Sequence, residues 1–181
     1  MDHVRQAGLR KFFIAALLAA ALGCAHARSA NEEAVGGAIA DGLTTAVGLA
    51  AGAAELNPLG PMIAIGMKVA VLHYAKGLPD TEQPAAYAAA ASWWQGAAAN
   101  NLCIAASIVS GGSFAPACIV LGMAWGLKTW NDTLPEREFW EGCAMLRQYA
   151  QEPQLQCVYT APAEPAPMEP TVAAAQDVSR Q

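Results

Sequence analysis

Residues 83–127 read QPAAYAAAASWWQGAAANNLCIAASIVSGGSFAPACIVLGMAWGL and contain no charged side chain in 45 consecutive positions. A helix that faces water needs a polar face, so a run of this length without charge indicates a lipid environment or deep burial. More than half of its side chains are small, and 42 of the chain's 181 residues are alanine. Because small side chains let helix backbones approach closely, the stretch predicts tightly packed helix pairs.

Glycine, serine and proline divide this stretch, and the chain before it, into four helices. The third is predicted over about 84–109, where a Ser-Gly-Gly-Ser turn ends it, and the fourth over about 114–130. The first is predicted over about 33–55 and the second over about 61–77. The predicted fold class is all-α: two Ala/Gly-rich helical hairpins in series, which form a hydrophobic bundle over residues 33–130.

The composition becomes polar after residue 130. Thr133-Leu-Pro-Glu136 is typical of a capping box, and a short amphipathic helix is predicted after it. Its apolar face consists of Phe139, Cys143, Leu146 and Ala150. Residues 131–160 are therefore predicted to be an extramembrane helix with a cysteine pair. Residues 161–181, rich in proline and alanine, are predicted to be a flexible tail.

The N-terminal segment, residues 1–27, has the features of a bacterial export signal. Basic residues up to Lys11 precede an apolar run from Phe12 to Leu22. Two cleavage sites compete: before Cys24, as in a lipobox whose cysteine is lipidated, or after Ala27 by ordinary signal peptidase. An uncleaved N-terminal anchor is a third interpretation. Each predicts a protein of the bacterial cell envelope.

The cysteine count agrees with export to an oxidising compartment. Removal or lipidation of Cys24 leaves four of the five cysteines, which allow two disulfides in three possible pairings. The candidates are Cys103, Cys118, Cys143 and Cys157. If the helices span a membrane, we expect the Cys143–Cys157 bridge alone. If the whole bundle lies outside the cytoplasm, a Cys103–Cys118 bridge is expected as well.

A polar stripe runs along the first predicted helix. It consists of Asp41, Thr44, Thr45, Gly48, Gly52 and Glu55, which helical spacing places on one side. Counted from the turn at Pro58, His73 of the second helix is level with Asp41, so an Asp41–His73 contact is expected. Lys68 is expected to meet Glu55 or to extend to the surface. Hydrogen bonding between helices is the main interpretation of the stripe, and a proton or ion relay is the alternative.

Other features of the apolar region predict helix packing. Two GxxxG motifs, Gly48–Gly52 and Gly122–Gly126, are typical of close helix contacts. In the third helix Asn100 and Asn101 are expected to pair across helices. For its adjacent Trp93 and Trp94, an aromatic belt at a membrane surface is the main interpretation and plain packing is the alternative.

Asp41-Gly-Leu-Thr44-Thr45 followed by Glu55-Leu-Asn57-Pro58 resembles a pattern of small bacterial membrane or envelope proteins of unknown function. The resemblance covers residues 41–58, with an extension to 101. It implies a helical hairpin and no mechanism. In physical terms, Glu55 and Asn57 can satisfy backbone groups at the sharp helix exit that Pro58 enforces.

Several classes of function are excluded or disfavoured. The net charge of −5 and the isoelectric point near 5.1 do not suit nucleic-acid binding. The sequence contains no nucleophile elbow, P-loop, dinucleotide fingerprint, CxxC or HExxH motif. His73 is the only histidine after residue 27, which disfavours a histidine triad or a multi-histidine metal site. No enzymatic activity, metal or cofactor is therefore expected.

The leading prediction is a non-enzymatic membrane protein of the bacterial envelope with an exported C-terminal tail and a structural or partner-binding role. Its expected partners are membrane lipid, another envelope protein or a second copy. One observation opposes it, because Lys76 and Lys128 would lie on the outer side of the membrane. The alternatives are a periplasmic lipoprotein with a soluble or partner-associated bundle, and a pore-forming or bacteriocin-like protein.

Overall fold

The computed structural model describes residues 29–53, 60–111 and 115–161. These residues form helices and no β-strand, so the predicted all-α fold class is confirmed. The helices are α1 (Ala30–Ala50), α2 (Gly60–Lys76), α3 (Gln83–Ser110), α4 (Ala115–Asp132) and α5 (Leu134–Tyr149). No described helix is both long and apolar enough to cross a membrane. The predicted export signal and nearly all of the predicted tail lie outside the described residues.

Helix α1 begins and ends earlier than predicted. Ser29 forms a capping box, because its hydroxyl accepts from the Glu32 backbone N–H while the Glu32 carboxylate accepts from the Ser29 N–H. At the other end Gly52 has φ +98°, and the Ala53 N–H donates to the Gly48 carbonyl at 2.9 Å. This is a Schellman motif, in which Gly52 supplies the left-handed residue that ends the helix.

Helix α3 is the centre of the bundle, with α1 packed along one side and α4 along the other. Helices α1 and α3 run parallel: Gln95 contacts Glu33, and Asn101 contacts Asp41 further along both helices. Helix α4 runs antiparallel to α3. Helix α2 connects α1 to α3 but touches both only slightly, so the main partner of α1 is α3 rather than its hairpin neighbour.

The α1–α3 contact is made of small side chains at helical spacing. The buried residues of α1 are Ala30, Ala34, Gly37, Thr44 and Gly48, which recur every three, four or seven positions. A Cβ added at Gly37 would lie 3.2 Å from the Gln95 side chain and 3.4 Å from the Ala91 carbonyl. Gly37, which the sequence motifs did not single out, therefore allows this close approach.

The α3–α4 contact is closer still, since backbone meets backbone. A Cβ added at Gly96 would lie 2.7 Å from the Gly122 carbonyl oxygen, and one at Gly126 would lie 2.7 Å from the Ser92 carbonyl oxygen. The structure thus places the second GxxxG motif in a helix contact. The first motif differs: Gly48 is buried but an added Cβ there would meet only Ala53, at 3.8 Å, and one at Gly52, at the end of α1, would have no neighbour within 4 Å.

The adjacent tryptophans of α3 have different environments. Trp94 is 7% exposed and packs in the core near Tyr87, whereas Trp93 is 77% exposed. Consecutive helical residues point about 100° apart, so the two indoles cannot share one surface. The prediction that both lie in an aromatic belt is wrong for Trp94.

Helix α5 follows α4 almost without a break, and the predicted capping box is absent at its start. Thr133 donates its hydroxyl to the Trp130 carbonyl and does not cap α5. The Glu136 carboxylate instead accepts from the Ala30 N–H at 2.6 Å, at the positive N-terminal end of α1. The Arg137 guanidinium stacks 3.6 Å from the Trp130 ring and holds the helix junction.

The apolar face predicted for α5 is only partly covered. Cys143 is 2% exposed, and Phe139 packs at 5.4 Å from the Tyr159 ring. Leu146 and Ala150 are exposed.

We expect Gly96→Ala to destabilise the protein by about 1–3 kcal/mol, because its methyl group would overlap the Gly122 carbonyl oxygen. Gly42→Ala is the matched control: an added Cβ there has no neighbour within 4 Å, and alanine favours helix. Urea denaturation of the disulfide-bonded chains measures both. Equal unfolding midpoints for the two variants would contradict the close α3–α4 contact.

Candidate functional site

An ion pair lies between α1 and α2. The Lys68 ammonium is 2.8 Å from a carboxylate oxygen of Asp41, and the two side chains are 13% and 15% exposed. The ammonium also donates to the Ala38 carbonyl at 3.2 Å. Charged groups so far removed from water are costly unless they are paired and hydrogen-bonded. The pair therefore holds α2 against α1 where little other contact exists.

Asn101 brings α3 into the same cluster. Its amide nitrogen donates to the second carboxylate oxygen of Asp41 and to the Thr45 hydroxyl, each at 3.0 Å. Both oxygens of Asp41 are thus occupied, one by α2 and one by α3. We call Asp41, Thr45, Lys68 and Asn101 the polar cluster.

The expected Asp41–His73 contact is corrected to Asp41–Lys68. The expectation counted from Pro58 at a helical rise, but α1 ends at Ala50 and α2 begins at Gly60. Asp41 lies nine residues before the end of α1 and Lys68 eight residues after the start of α2, so these two are level. His73 is exposed, nearer the far end of α2. Glu55, Asn57 and Pro58 lie outside the described residues.

A small groove of about 380 Å³ adjoins the polar cluster. Polar residues from α1 and α3 line it together with Gly48 and Gly52: Thr44, Thr45, Asn100 and Asn101. We call the polar cluster and this groove together the seam; it contains the described α1 residues of the predicted stripe and both asparagines, whereas His73, also predicted to belong to the stripe, lies outside it. The side-chain amide oxygen of Asn100 (Oδ1) is buried and has no hydrogen-bond partner among the described residues.

The charges of the polar cluster balance, and its hydrogen bonds link three helices; we call this arrangement the lock. Asp41 and Lys68 neutralise each other, and their other partners are the Asn101 amide and the Ala38 backbone carbonyl, neither of which titrates. A proton relay needs a continuing chain of titratable groups. The arrangement therefore suits fixing the positions of three helices better than moving a proton.

A second cleft, of about 570 Å³, lies between the start of α1 and helices α2, α3 and α5. Its lining includes His73, Lys76, Asp80 and Glu136. Arg147 of α5 donates to both carboxylate oxygens of Asp80, each at 2.7 Å. These hydrogen bonds hold the pKa of the Asp80 carboxyl below its ordinary value. Sequence reasoning missed this bridge, because nothing local relates residues 80 and 147.

Tyr159, beyond α5, lies near the same end of the bundle. Burial and the nearby Glu136 carboxylate raise the pKa of its phenol. Among the described residues, no group of three or more His, Cys, Asp or Glu side chains could hold a metal ion.

A third and larger groove, of about 730 Å³, lies between α1, α3 and α4. We call it the apolar groove. Its lining residues are Ala40, Thr44, Gln95, Ala98, Ala99, Leu102, Cys103, Ala106, Ser107, Ser110, Ala117, Leu121 and Trp125. None of these side chains is charged. The sequence signal that could have indicated this groove is the charge-free, alanine-rich stretch 83–127, which supplies most of the lining residues.

Two disulfides complete the framework. Cys103–Cys118 joins α3 to α4 with a Cα–Cα distance of 5.3 Å. Cys143–Cys157 ties α5 to the segment that follows it, with a Cα–Cα distance of 6.3 Å. Both distances lie within the range of protein disulfides. Of the three pairings that four cysteines allow, the structure contains the one that joins sequence neighbours.

No protein-family model, curated protein or solved structure matches this chain. The resemblance to small envelope proteins stays a prediction. Its Asp41, Thr44 and Thr45 lie on the seam described above, whereas its Glu-x-Asn-Pro part lies outside the described residues.

We expect Lys68→Met to cost about 2–4 kcal/mol of stability, because it leaves the Asp41 carboxylate largely buried without its cation. Adding Asp41→Leu should restore part of the loss, since no unpaired charge then remains. Lys128→Met is the control: it breaks an ion pair with Asp132 whose side chains are 59% and 52% exposed, and should cost less than about 1 kcal/mol. Thermal denaturation separates these cases, and similar losses for Lys68→Met and Lys128→Met would refute the lock.

We expect Arg147→Gln to raise the pKa of Asp80 towards the ordinary value of about 3.9. Because the native pKa is lowered, the bridge stabilises the fold above the ordinary pKa, and this stability is lost as the pH falls through the lowered value. NMR titration of the Asp80 carboxyl measures the shift. Lys128→Gln is the control: Lys128 pairs with Asp132 and not with Asp80, so this variant should leave the Asp80 titration unchanged. An unchanged Asp80 pKa in Arg147→Gln would exclude the bridge.

Proposed function

We propose that this chain is a non-enzymatic protein of the bacterial cell envelope whose whole helical bundle lies on the oxidising side of the cytoplasmic membrane. The observation that carries the proposal is the Cys103–Cys118 disulfide. Its cysteines lie seven residues before the end of α3 and three residues after the start of α4, towards the end of the bundle at which the chain turns from α3 to α4. If four helices spanned the membrane after signal removal, this turn would face the cytoplasm, where disulfides do not persist.

The second disulfide supports the same placement. Cys143–Cys157 would lie outside the membrane in a spanning topology, on the opposite side from Cys103–Cys118. Both bridges together are simplest when one oxidising compartment surrounds the bundle. This favours the periplasmic lipoprotein, or the free periplasmic protein, over the predicted spanning bundle.

We further propose that the bundle contacts membrane lipid. Helix α2 exposes apolar side chains on several sides and α4 exposes a second set: Ile63, Ile65, Met67, Val69, Val71, Ile119, Val120, Met123 and Leu127. A helix that is apolar all round is normally covered, and large exposed apolar patches mark interaction sites. Membrane lipid is the partner that suits an exported protein with either a lipidated Cys24 or a free N-terminus after Ala27.

The polar cluster supports a non-enzymatic role. Asp41 and Lys68 are occupied by each other and by neighbouring groups, which leaves no activated base or nucleophile at the seam. Their geometry suits a structural role, in which Asp41 fixes the positions of three helices in a protein that binds a partner.

The experiment is cysteine mapping in cells. The full chain is expressed in bacteria, free thiols are blocked at lysis, and the disulfides are identified by mass spectrometry without reduction. We expect both Cys103–Cys118 and Cys143–Cys157. Free thiols at Cys103 and Cys118 beside an intact Cys143–Cys157 bridge would instead support the membrane-spanning topology and overturn the proposal.

Membrane attachment is tested with the same strain and its Cys24→Ala variant. If Cys24 is lipidated, carbonate washing leaves the wild type in the membrane and releases the variant. If the chain is cut after Ala27, carbonate releases both. Retention of both after carbonate washing would contradict peripheral lipid contact.

A further inference from the structure

We propose that the apolar groove between α1, α3 and α4 binds one long acyl chain of a membrane lipid. The proposal deepens the proposed function and rests on it only for the source of the ligand. It is carried by the chemistry of the lining, the shape of the groove and its position beside exposed apolar residues.

The lining favours an uncharged, aliphatic ligand. None of the residues around the groove is charged, and its four polar side chains already donate hydrogen bonds within the protein. Thr44 donates to the Asp41 carbonyl and Gln95 to the Glu33 carboxylate. Ser107 and Ser110 donate to carbonyls one turn earlier in α3. Few side-chain donors remain free for a polar ligand, which would regain little of the hydration it loses, whereas the removal of an acyl chain from water is favourable.

The shape favours a long, narrow ligand. The volume of about 730 Å³ is within the range of small-molecule sites. Along α3 the groove runs from Gln95 to Ser110, about 22 Å at 1.5 Å per residue. One leaflet of a bilayer's hydrocarbon core is roughly 15 Å thick, so an extended acyl chain fits lengthwise. The space exists because alanines such as Ala99 and Ala106 face it.

The position favours a ligand that comes from a membrane. At the rim, Leu121 and Trp125 of α4 are 46% and 41% exposed. They are continuous along α4 with the exposed apolar residues that we propose to contact lipid. Cys103, which lines the groove about midway along α3, is bonded to Cys118 of α4, so the disulfide fixes the distance between these two helices beside the groove.

The test measures binding of dansylundecanoic acid to the purified, disulfide-bonded mature chain in solution without vesicles. We expect saturable binding of one probe per chain, and displacement by palmitic acid but not by hexanoic acid. Each methylene buried in the groove should strengthen a competing fatty acid by up to about fourfold.

Ala106→Phe fills the groove and should weaken probe binding at least tenfold. Ala89→Phe is the matched control, because Ala89 is an exposed residue of the same helix that does not line the groove. Circular dichroism and mass mapping of both disulfides establish that each variant is folded. If Ala106→Phe does not fold, Ala99→Leu replaces it with the same expected loss.

Three outcomes would overturn the proposal. The first is no saturable binding by the folded wild type, and the second is equal binding by the Ala106→Phe and Ala89→Phe variants. The third is binding by the unlipidated Cys24→Ala chain but not by a lipidated wild type, which would assign the groove to the protein's own acyl group. Each is distinguishable from failure of the proposed function, which is judged by the state of Cys103 and Cys118 in cells.

Discussion

The structure depends on how closely the backbones of α3 and α4 approach each other. At Gly96, Gly122 and Gly126 a single added carbon would lie within 2.7 Å of a carbonyl oxygen of the facing helix. On its other side α3 meets α1 through alanines and Gly37. Small residues on both sides of α3 leave little volume for large side chains: among the described residues Tyr87 and Trp94 are buried to 7% exposure, and the largest side chain below 2% exposure is Cys118.

Each small side chain buries little apolar area, so interactions other than apolar burial contribute to holding the helices in position. The two disulfides, the Asp41–Lys68 ion pair and the stacking of Arg137 on Trp130 join different elements. The same shortage of core volume explains the surface: most of the larger apolar side chains of α2 and α4 have no place inside and remain exposed.

Most local structure was predictable because its causes are local. The predicted bounds of about 61–77 and 84–109 differ from α2 and α3 by one residue at each end, since prolines and glycines near those positions begin and end helices. Both cysteine pairs join residues 14 or 15 apart in sequence. The errors arose where two local signals compete. Helix α1 ends at the left-handed Gly52 rather than near Pro58, and Glu136 accepts a hydrogen bond from the first residue of α1 instead of forming the capping box predicted with Thr133.

The sequence by itself determined that the chain is helical, where most helices begin and end, and which faces carry small residues, because these follow from backbone preferences and spacing. Only the tertiary structure decided that α3 is central, that Asp41 pairs with Lys68 and Asn101, and that Asp80 pairs with Arg147. These partners include residues 60 and 67 positions apart. Whether such residues meet depends on the rotation and level of each helix, which the packing of all the helices sets together.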